Sequence, residues 1–442
     1  MDGPLPSIVV LGASGLIGQT IATELMRAGS SVVPVARRFT AAQKNAYGGL
    51  ALECPITSLD VDALAQFLAN NRVDVIVNCI GVLQGSGRGR GDDVHRRFVA
   101  RLIEASGARP EMPLLIHLSI PGDAAEDETE FSRTKRDAER LIASTSVPFV
   151  ILRPGFVVAA TAYGGSALIR ALAALPLCLP KGESDRPFAA TDITDIAQTI
   201  DLIVQRWRGG ERRWAVIWDV MERRPSTTGG VVDAFRHRFG GSNAIGRLPG
   251  WLIAIGAKAG DLSAHLGWRP PIRSTALREL RRGVEGDPEP WIAATGIEPA
   301  SLEDMLARLS ATVQERWFAR LYLIKPVILG SLVVFWIASG TIALTLAFHT
   351  ATAILTSHGV PPGLARGITI MTSLSDICVG AAVAVRKTCR LGLLAGIGIS
   401  LGYLVEAVLI TPELWIDPLG SLLKTVPVII LMLTALAILD DR

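Results

Sequence analysis

Short apolar runs bounded by turn residues alternate with amphipathic stretches along most of the chain. Past Lys325 the pattern changes to long runs with hardly a charge. The first run, Ile8–Leu11, passes through a glycine-rich turn into a helical pattern at Thr20–Ala28. Further runs at Ser31–Val35, Leu50–Cys54, Val73–Ile80, Leu114–Leu118, Phe149–Leu152 and Trp214–Trp218 predict strands. Helices are predicted between them at Thr40–Lys44, from an Asp60 cap to about Ala69, at Asp92–Ala105, at Phe131–Ser144, and up to about Arg206. Strands alternating with helices predict an α/β fold, a Rossmann-like doubly wound parallel sheet. Residues 156–310 would form a substrate-side lobe, with helices at Ser166–Ala174 and Ser274–Arg282 and one last amphipathic helix over 301–318, capped by Ser301.

The later runs have another scale. Pro326–Phe348 carries no charge and would make about 34 Å of helix at 1.5 Å per residue, enough to span a bilayer. Gly367–Val385, Leu391–Ile410 and Leu419–Leu439 are further spans, so an all-α four-helix transmembrane bundle is predicted. The division is then 1–310 for a nucleotide-binding domain, 311–325 for a juxtamembrane anchor rich in Arg, Lys and aromatic residues, and 326–442 for the membrane domain. Arg316, Arg320 and Lys325 flank the first span, and Arg386, Lys387 and Arg390 fill the loop between the second and third. Both clusters belong on the cytoplasmic side, which puts both termini and the nucleotide domain there and the His349–Arg366 connection outside.

Composition narrows the field. The net charge of +3 and the lack of a basic stripe with interleaved aromatics argue against a nucleic-acid partner. The five cysteines are scattered without metal or disulfide spacing, and no metal site is expected. Met1–Pro4 has no basic leader and runs straight into the first strand, so no cleaved signal is expected.

The chemistry concentrates in a few places. Gly12, Gly15 and Gly18 would let backbone approach a pyrophosphate at a helix N-terminus. After the second strand Arg37 and Arg38 stand where NAD-selective folds place an acid, and a guanidinium suits a 2′-phosphate, so NADP(H) is favoured over NAD(H). Gly81 would let backbone sit against the cofactor at the end of the fourth strand. Leu175–Pro180 would either line an apolar pocket or be a buried connection, and Trp251, Trp268 and Trp291 are expected to be packing residues. In the membrane, Gly392, Gly396, Gly398 and Gly402 would allow close helix approach. Asp376 and Glu406 are intramembrane acids, expected to face the bundle interior, with Ser375 and Tyr403 as candidate partners.

The order Gly-x-x-Gly-x-x-Gly, Asn78-Cys79-Ile80-Gly81, strand-end Ser119, Phe131-x-x-x-Lys135 and Leu152-Arg153-Pro154-Gly155 resembles the extended and atypical short-chain dehydrogenase/reductase superfamily. The resemblance covers about residues 5–310 and is closest to its NAD(P)H-binding, NmrA-like and complex I accessory-subunit group. Phe188–Ala197 resembles the segment that enters the late helix of extended members. It implies cofactor contacts from Gly12, Ser14, Gly15, Leu16, Ile17, Gly18, Cys79, Ile80, Gly81 and Pro154, a catalytic role for Ser119, and a ribose-holding role for Lys135. The family's catalytic tyrosine is replaced by Phe131, which cannot give or take a proton. The span signals Phe335–Gly340 and Asp376–Gly380 resemble the DoxX-like family, associated with quinone and redox membrane chemistry, and the fusion implies a bacterial inner membrane.

Three functions follow as expectations. The first is a membrane-anchored NADP(H)-binding oxidoreductase that passes reducing equivalents to a quinone-like, lipid-soluble acceptor. The second is a non-catalytic NADP(H) sensor or assembly module of a membrane redox complex. The third is NAD-dependent epimerase/dehydratase-like chemistry.

Overall fold

A computed structural model describes residues 7–81, 92–416, 420 and 422–439. The glycine- and arginine-rich stretch Gly85–Gly91, the Met1–Pro4 start, Asp417, Pro418, Leu419 at the head of the fourth expected span, and Arg442 lie outside the described residues. The chain divides into two compact units, Met1–Asp261 with Pro271–Ala319, and Leu262–Pro270 with Arg320–Arg442.

In the first unit the strands run β1 (Ser7–Leu11), β2 (Ser31–Ala36), β3 (Leu52–Glu53), β4 (Val73–Asn78), β5 (Leu114–Leu118), β6 (Phe149–Pro154), β7 (Phe156–Val158), β8 (Leu177–Cys178), β9 (Ala190–Asp192), β10 (Ala215–Val220) and β11 (Gly246–Arg247). Seven of them form one sheet in the order β10-β6-β5-β4-β1-β2-β3, and every pairing is parallel. Its helices include α1 (Leu16–Arg27), α2 (Ala41–Ala46), α3 (Val61–Asn70), α4 (Phe98–Gly107, preceded by a π-helical turn at Asp93–Arg97) and α5 (Glu130–Ala143). Along β1 the side chains alternate between faces. Ile8 and Val10 enter one core with Val75, Val77 and Ile116, while Val9 and Leu11 enter the other with Ile76 and Leu115. Both faces are therefore covered, which is why these strands read as unbroken apolar runs. β1 pairs with β2 on one side and β4 on the other, so the crevice beyond its carboxyl end is the switch point of the sheet.

The lobe beyond β6 adds two small parallel pairs, β7 with β9 and β8 with β11. Leu175–Pro180 holds β8; Leu179 is buried in the lobe's core with Phe235 and Met305, while Leu177 and Cys178 are half-buried. Ser301 caps a helix by accepting from Asp304 N at 3.2 Å. That helix ends at Ala307, and a second one runs Val313–Tyr322, so 301–318 is not continuous. Arg238 accounts for the break: its guanidinium donates to the carbonyls of Ala307 and Leu309, and Leu309 turns into the core.

The second unit is helical, with Ile324–Leu344, Phe348–Ser357, Pro362–Ala384, Cys389–Leu409 and Thr425–Ala437. Three helices are long and apolar enough to cross a membrane, Val313–Leu344, Pro362–Ala384 and Cys389–Leu409; Thr425–Ala437 is apolar but shorter. Leu332, Trp336, Val379, Leu393 and Met432 form their common core. A Cβ on Gly392 would lie 2.8 Å from Val383 N and one on Gly396 2.8 Å from Met432 Sδ, so these two glycines set helix contacts, whereas Gly398 and Gly402 face open space. Lys325 Nζ donates to the carbonyls of Ile438 and Leu439, at 2.5 and 3.1 Å, and Arg386 Nη2 reaches Leu439 O at 3.4 Å. The start of the Ile324–Leu344 helix, the end of Pro362–Ala384 and the end of Thr425–Ala437 thus share one end of the bundle, the end that carries the basic residues.

Candidate functional site

The turn after β1 is built for close backbone approach. Gly12 has φ +83°, and a Cβ there would lie 3.2 Å from the Cys79 carbonyl. A Cβ on Gly18 would come within 2.4 Å of Gly12 O, so only glycine lets the first turn of α1 settle against the loop. Ser14 and Gly15 are exposed at the N-terminal end of α1, and Gln43 rims them by donating to Ser14 O at 3.1 Å. Leu16 and Ile17 are half-buried and pack on the core below. The outward N–H groups of this turn and the positive end of α1 fit an anionic dinucleotide.

Beside it, Arg37 and Arg38 are exposed at the end of β2. No acid follows them in sequence, but one arrives from the next strand. Glu53, closing β3, accepts from Phe39 N at 2.8 Å and pairs with Lys44 at 3.0 Å. The Phe39 N–H, then Lys44, hold its carboxyl below the usual range. Nothing local to Arg37 and Arg38 marks Glu53, which comes from the two-residue strand β3.

The second cluster forms where β4, β5 and α5 converge. Lys135 is buried, and its Nζ donates to Leu118 O at 2.8 Å and Ile80 O at 3.3 Å. A Cβ on Gly81 would stand 3.5 Å from that ammonium, so Ile80, Gly81, Lys135 and the end of β5 are brought together. Burial lowers the Lys135 pKa to about 8, and the same burial pushes the Cys79 thiol up to about 12. Ser119 follows β5; its Oγ is buried and lies beside the Glu139 carboxylate, which, despite burial, Arg153 and this hydroxyl help hold below the usual range. Pro154 ends β6 in register with Val220 of β10.

Two histidines complete the cluster, and the sequence reading passed over both. Asn78 Oδ1 accepts from Ile80 N at 3.1 Å, which turns Nδ2 toward His117 Nδ1 at 3.1 Å. His117 therefore carries its proton on Nε2, and that buried atom has no partner among the described residues. Thr134 Oγ1 donates to Glu130 O at 2.7 Å and so accepts from His95 Nδ1 at 2.9 Å. Burial, with Lys135 nearby, takes the His95 pKa down to about 3 and holds His117 well below its usual value. Phe131 lies edge-on to His95, with 5.6 Å between ring centroids.

The loop after Ser119 is clamped by arginines. Arg136 Nη2 donates to Pro121 O at 3.0 Å and Gly122 O at 2.6 Å, and Arg282 Nη2 donates to Pro121 O as well. Asp127 holds both guanidiniums, at 3.1 Å each. Glu139 joins Arg136 to Arg153 at 3.1 and 2.5 Å. Arg136, Arg282, Asp127 and Glu139 are almost fully buried, so each of these charges depends on its partners, while Arg153 is only half-buried.

In the second unit Asp376 is buried between helices. Tyr403 OH donates to its Oδ1 at 2.8 Å and Ser339 Oγ to its Oδ2 at 3.2 Å. Ser375 is not the partner, because adjacent helical residues point apart. Trp336 Nε1 and Ser373 Oγ are buried without partners among the described residues. Glu406 is half-buried one turn beyond Tyr403.

Among the three tryptophans, Trp291 is a packing residue, fully buried and donating from Nε1 to Thr199 Oγ1 at 3.0 Å, whereas Trp251 is 65% exposed. No metal-binding group of His, Cys, Asp and Glu occurs among the described residues.

The comparisons agree with this architecture. Residues 8–214 match the NAD dependent epimerase/dehydratase family, and residues 333–433 match the DoxX-like family. The dTDP-6-deoxy-L-talose 4-dehydrogenase (NAD(P)(+)) of Kitasatospora kifunensis is 26% identical over 220 residues, 45% of this chain and 68% of that protein. In fold, the first unit is similar to the UDP-glucose 4-epimerase of Thermotoga maritima, with TM-score 0.51 and 15% identity over 70% of this chain and 98% of that one. The UDP-glucose-4-epimerase of Stenotrophomonas maltophila aligns with TM-score 0.51 and 16% identity, over 72% of this chain and 99% of that one. Residues 8–214 are therefore similar to the NAD dependent epimerase/dehydratase family, and residues 333–433 to the DoxX-like family.

Proposed function

We propose that this protein is a membrane-anchored NADP(H)-dependent oxidoreductase whose acceptor is a lipid-soluble, quinone-like molecule. The observation that carries the reading is Lys135, buried and fixed between Ile80 O and Leu118 O beside Gly81, one turn beyond Phe131 in place of a tyrosine. Gly12, Ser14, Gly15, Leu16, Ile17 and Gly18 would cradle the pyrophosphate, Arg37 and Arg38 would meet a 2′-phosphate, and Lys135 would hold the nicotinamide ribose. When bound, the nicotinamide supplies a hydride. Cys79, Ile80, Gly81 and Pro154 would wall that end, and the Ser119 hydroxyl would turn from Glu139 to donate a hydrogen bond to an acceptor oxygen. Phe131 leaves no phenolic proton donor, which suits an acceptor able to take its protons from water or other acids. Within the membrane unit, Asp376, held by Tyr403 and Ser339, and Glu406 are acids that favour a redox role over a passive tether.

The gathering of Lys325, Arg386 and Leu439 at one end of the bundle supports four crossings, with the basic end and both termini cytoplasmic in a bacterial inner membrane. Phe131 also favours a second reading, a non-catalytic NADP(H) sensor or assembly module of a membrane redox complex. The family match favours a third, epimerase/dehydratase-like chemistry on a nucleotide-linked sugar.

The test uses the full chain in detergent, loaded with NADPH, its absorbance followed with and without short-chain quinones. Quinone-dependent oxidation that Lys135→Ala abolishes supports the oxidoreductase. Tight binding with no turnover on any acceptor points to the module, and interconversion of a nucleotide sugar without quinone points to the third reading.

A further inference from the structure

We infer that the Gly250–His265 helix is an interfacial helix that lies on the lipid surface, its apolar stripe of Trp251, Ile255 and Leu262 set into the headgroup layer. Trp251, Ile255 and Leu262 are 65%, 56% and 67% exposed. At 3.6 residues per turn they fall within about 40° of one another, with exposed Lys258 and His265 along one edge. The opposite face is made of small residues. Ala257, Gly260 and Ala264 are buried there, and a Cβ on Gly260 would come within 1.9 Å of Ile272 O. The helix thus turns its small side toward protein and its large apolar side outward, the reverse of a helix designed for water. A stripe with Trp at one end and a basic edge is the pattern of helices that lie in the plane of a bilayer.

The far end of the same helix shows what covers it. Its last turn leads to Trp268, whose Nε1 donates to Ala384 O at 2.7 Å, on the final residue of the Pro362–Ala384 span. Arg386 N donates to Leu266 O at 3.0 Å, and the Arg386 guanidinium lies 5.4 Å from the Trp268 ring centre. The helix therefore ends where a span leaves the hydrocarbon and basic residues begin, which is headgroup depth. The occupant chosen by this continuity is lipid, not a protein partner. The inference rests on the chain being a membrane protein and is independent of its redox chemistry.

The experiment places the full chain in phosphatidylcholine–phosphatidylglycerol nanodiscs and isolates the Trp251 fluorescence as the difference between the parent and Trp251→Phe. Tail-brominated lipid is expected to remove most of that component, while aqueous acrylamide leaves it nearly untouched. Quenching by acrylamide without loss to brominated lipid overturns the proposal, because the stripe then faces water. Protection from both quenchers overturns it as well, because a second copy or another protein then covers the stripe. Failure of the chain to enter nanodiscs at all would count instead against the membrane reading.

Discussion

Phe131 and Lys135 stand one turn apart on α5 in opposite surroundings: Phe131 is edge-on to His95 at 5.6 Å, while Lys135 Nζ is 2.8 Å from Leu118 O. The lysine's partners are carbonyls, and an aromatic ring without a hydroxyl fills the position where a proton donor is expected. This separates holding a cofactor from moving a proton, and the predictions follow that division.

The buried lysine leaves a signature in stability. Its folded pKa is about 8, against an ordinary 10.5. Between those values the folded side chain has lost its proton and the unfolded one keeps it, so stability rises with pH across that window. The gain amounts to about 3 kcal/mol at 1.36 kcal/mol per unit. Thermal unfolding of the full chain in detergent, compared with Lys135→Met, should show the parent gaining on the variant from pH 8 to 10. A difference that stays flat would show that the ammonium is not buried as described.

Gly18→Ala should lose cofactor binding. The new methyl would sit 2.4 Å from Gly12 O, a backbone atom that cannot swing away, at a cost of about 1–3 kcal/mol. Gly15→Ala, where the nearest atom is Gly12 O at 3.3 Å, should be milder. Calorimetric titration with NADPH ranks the two, and equal affinities would sink the cradle.

Arg37→Ala should weaken NADPH about 10- to 150-fold, the worth of about 1.5–3 kcal/mol for a charged hydrogen bond, and NADH hardly at all. Glu53→Gln removes the acid beside the same turn and should shift preference further toward NADPH. Equal losses for both nucleotides would refute the arginine assignment.

Arg282→Met strips Asp127 of one of its two guanidiniums and should destabilise the protein by about 3–5 kcal/mol. Arg140→Met, an exposed pair with Asp137, should cost under about 1 kcal/mol. Unfolding midpoints of the two variants, measured side by side, decide it.

Reporter fusions after Thr411 and at Arg442 test the topology. A periplasmic signal after Thr411 and a cytoplasmic one at Arg442 are expected; a periplasmic signal at Arg442 would overturn the four-span reading.

The sheet and its glycine turn were legible because periodicity and turn chemistry are local signals. Ile8–Leu11, Leu114–Leu118 and the Asp60 cap, which accepts from Ala63 N at 2.8 Å, are all visible within a few residues of sequence. What escaped depends on distant partners. Arg282 and Asp127 are 155 positions apart, and nothing local in either marks them as buried. Ser339 beat Ser375 to Asp376 for a related reason, since helix packing rather than sequence proximity decides which hydroxyl arrives. The 301–318 pattern is amphipathic throughout, and only Arg238 from another helix reveals the break. Trp251 looked like core because tryptophan usually is, until its helix turned out to bury glycine and alanine instead.

The clamp on Pro121 and Gly122 has a consequence for whatever arrives beside it. Two guanidiniums anchored on one aspartate leave that peptide segment nothing to rearrange, so its ordering entropy is already spent when the chain folds. A ligand lying against it would meet a pre-set wall, and selection would then work by rejecting the wrong shape instead of moulding to it.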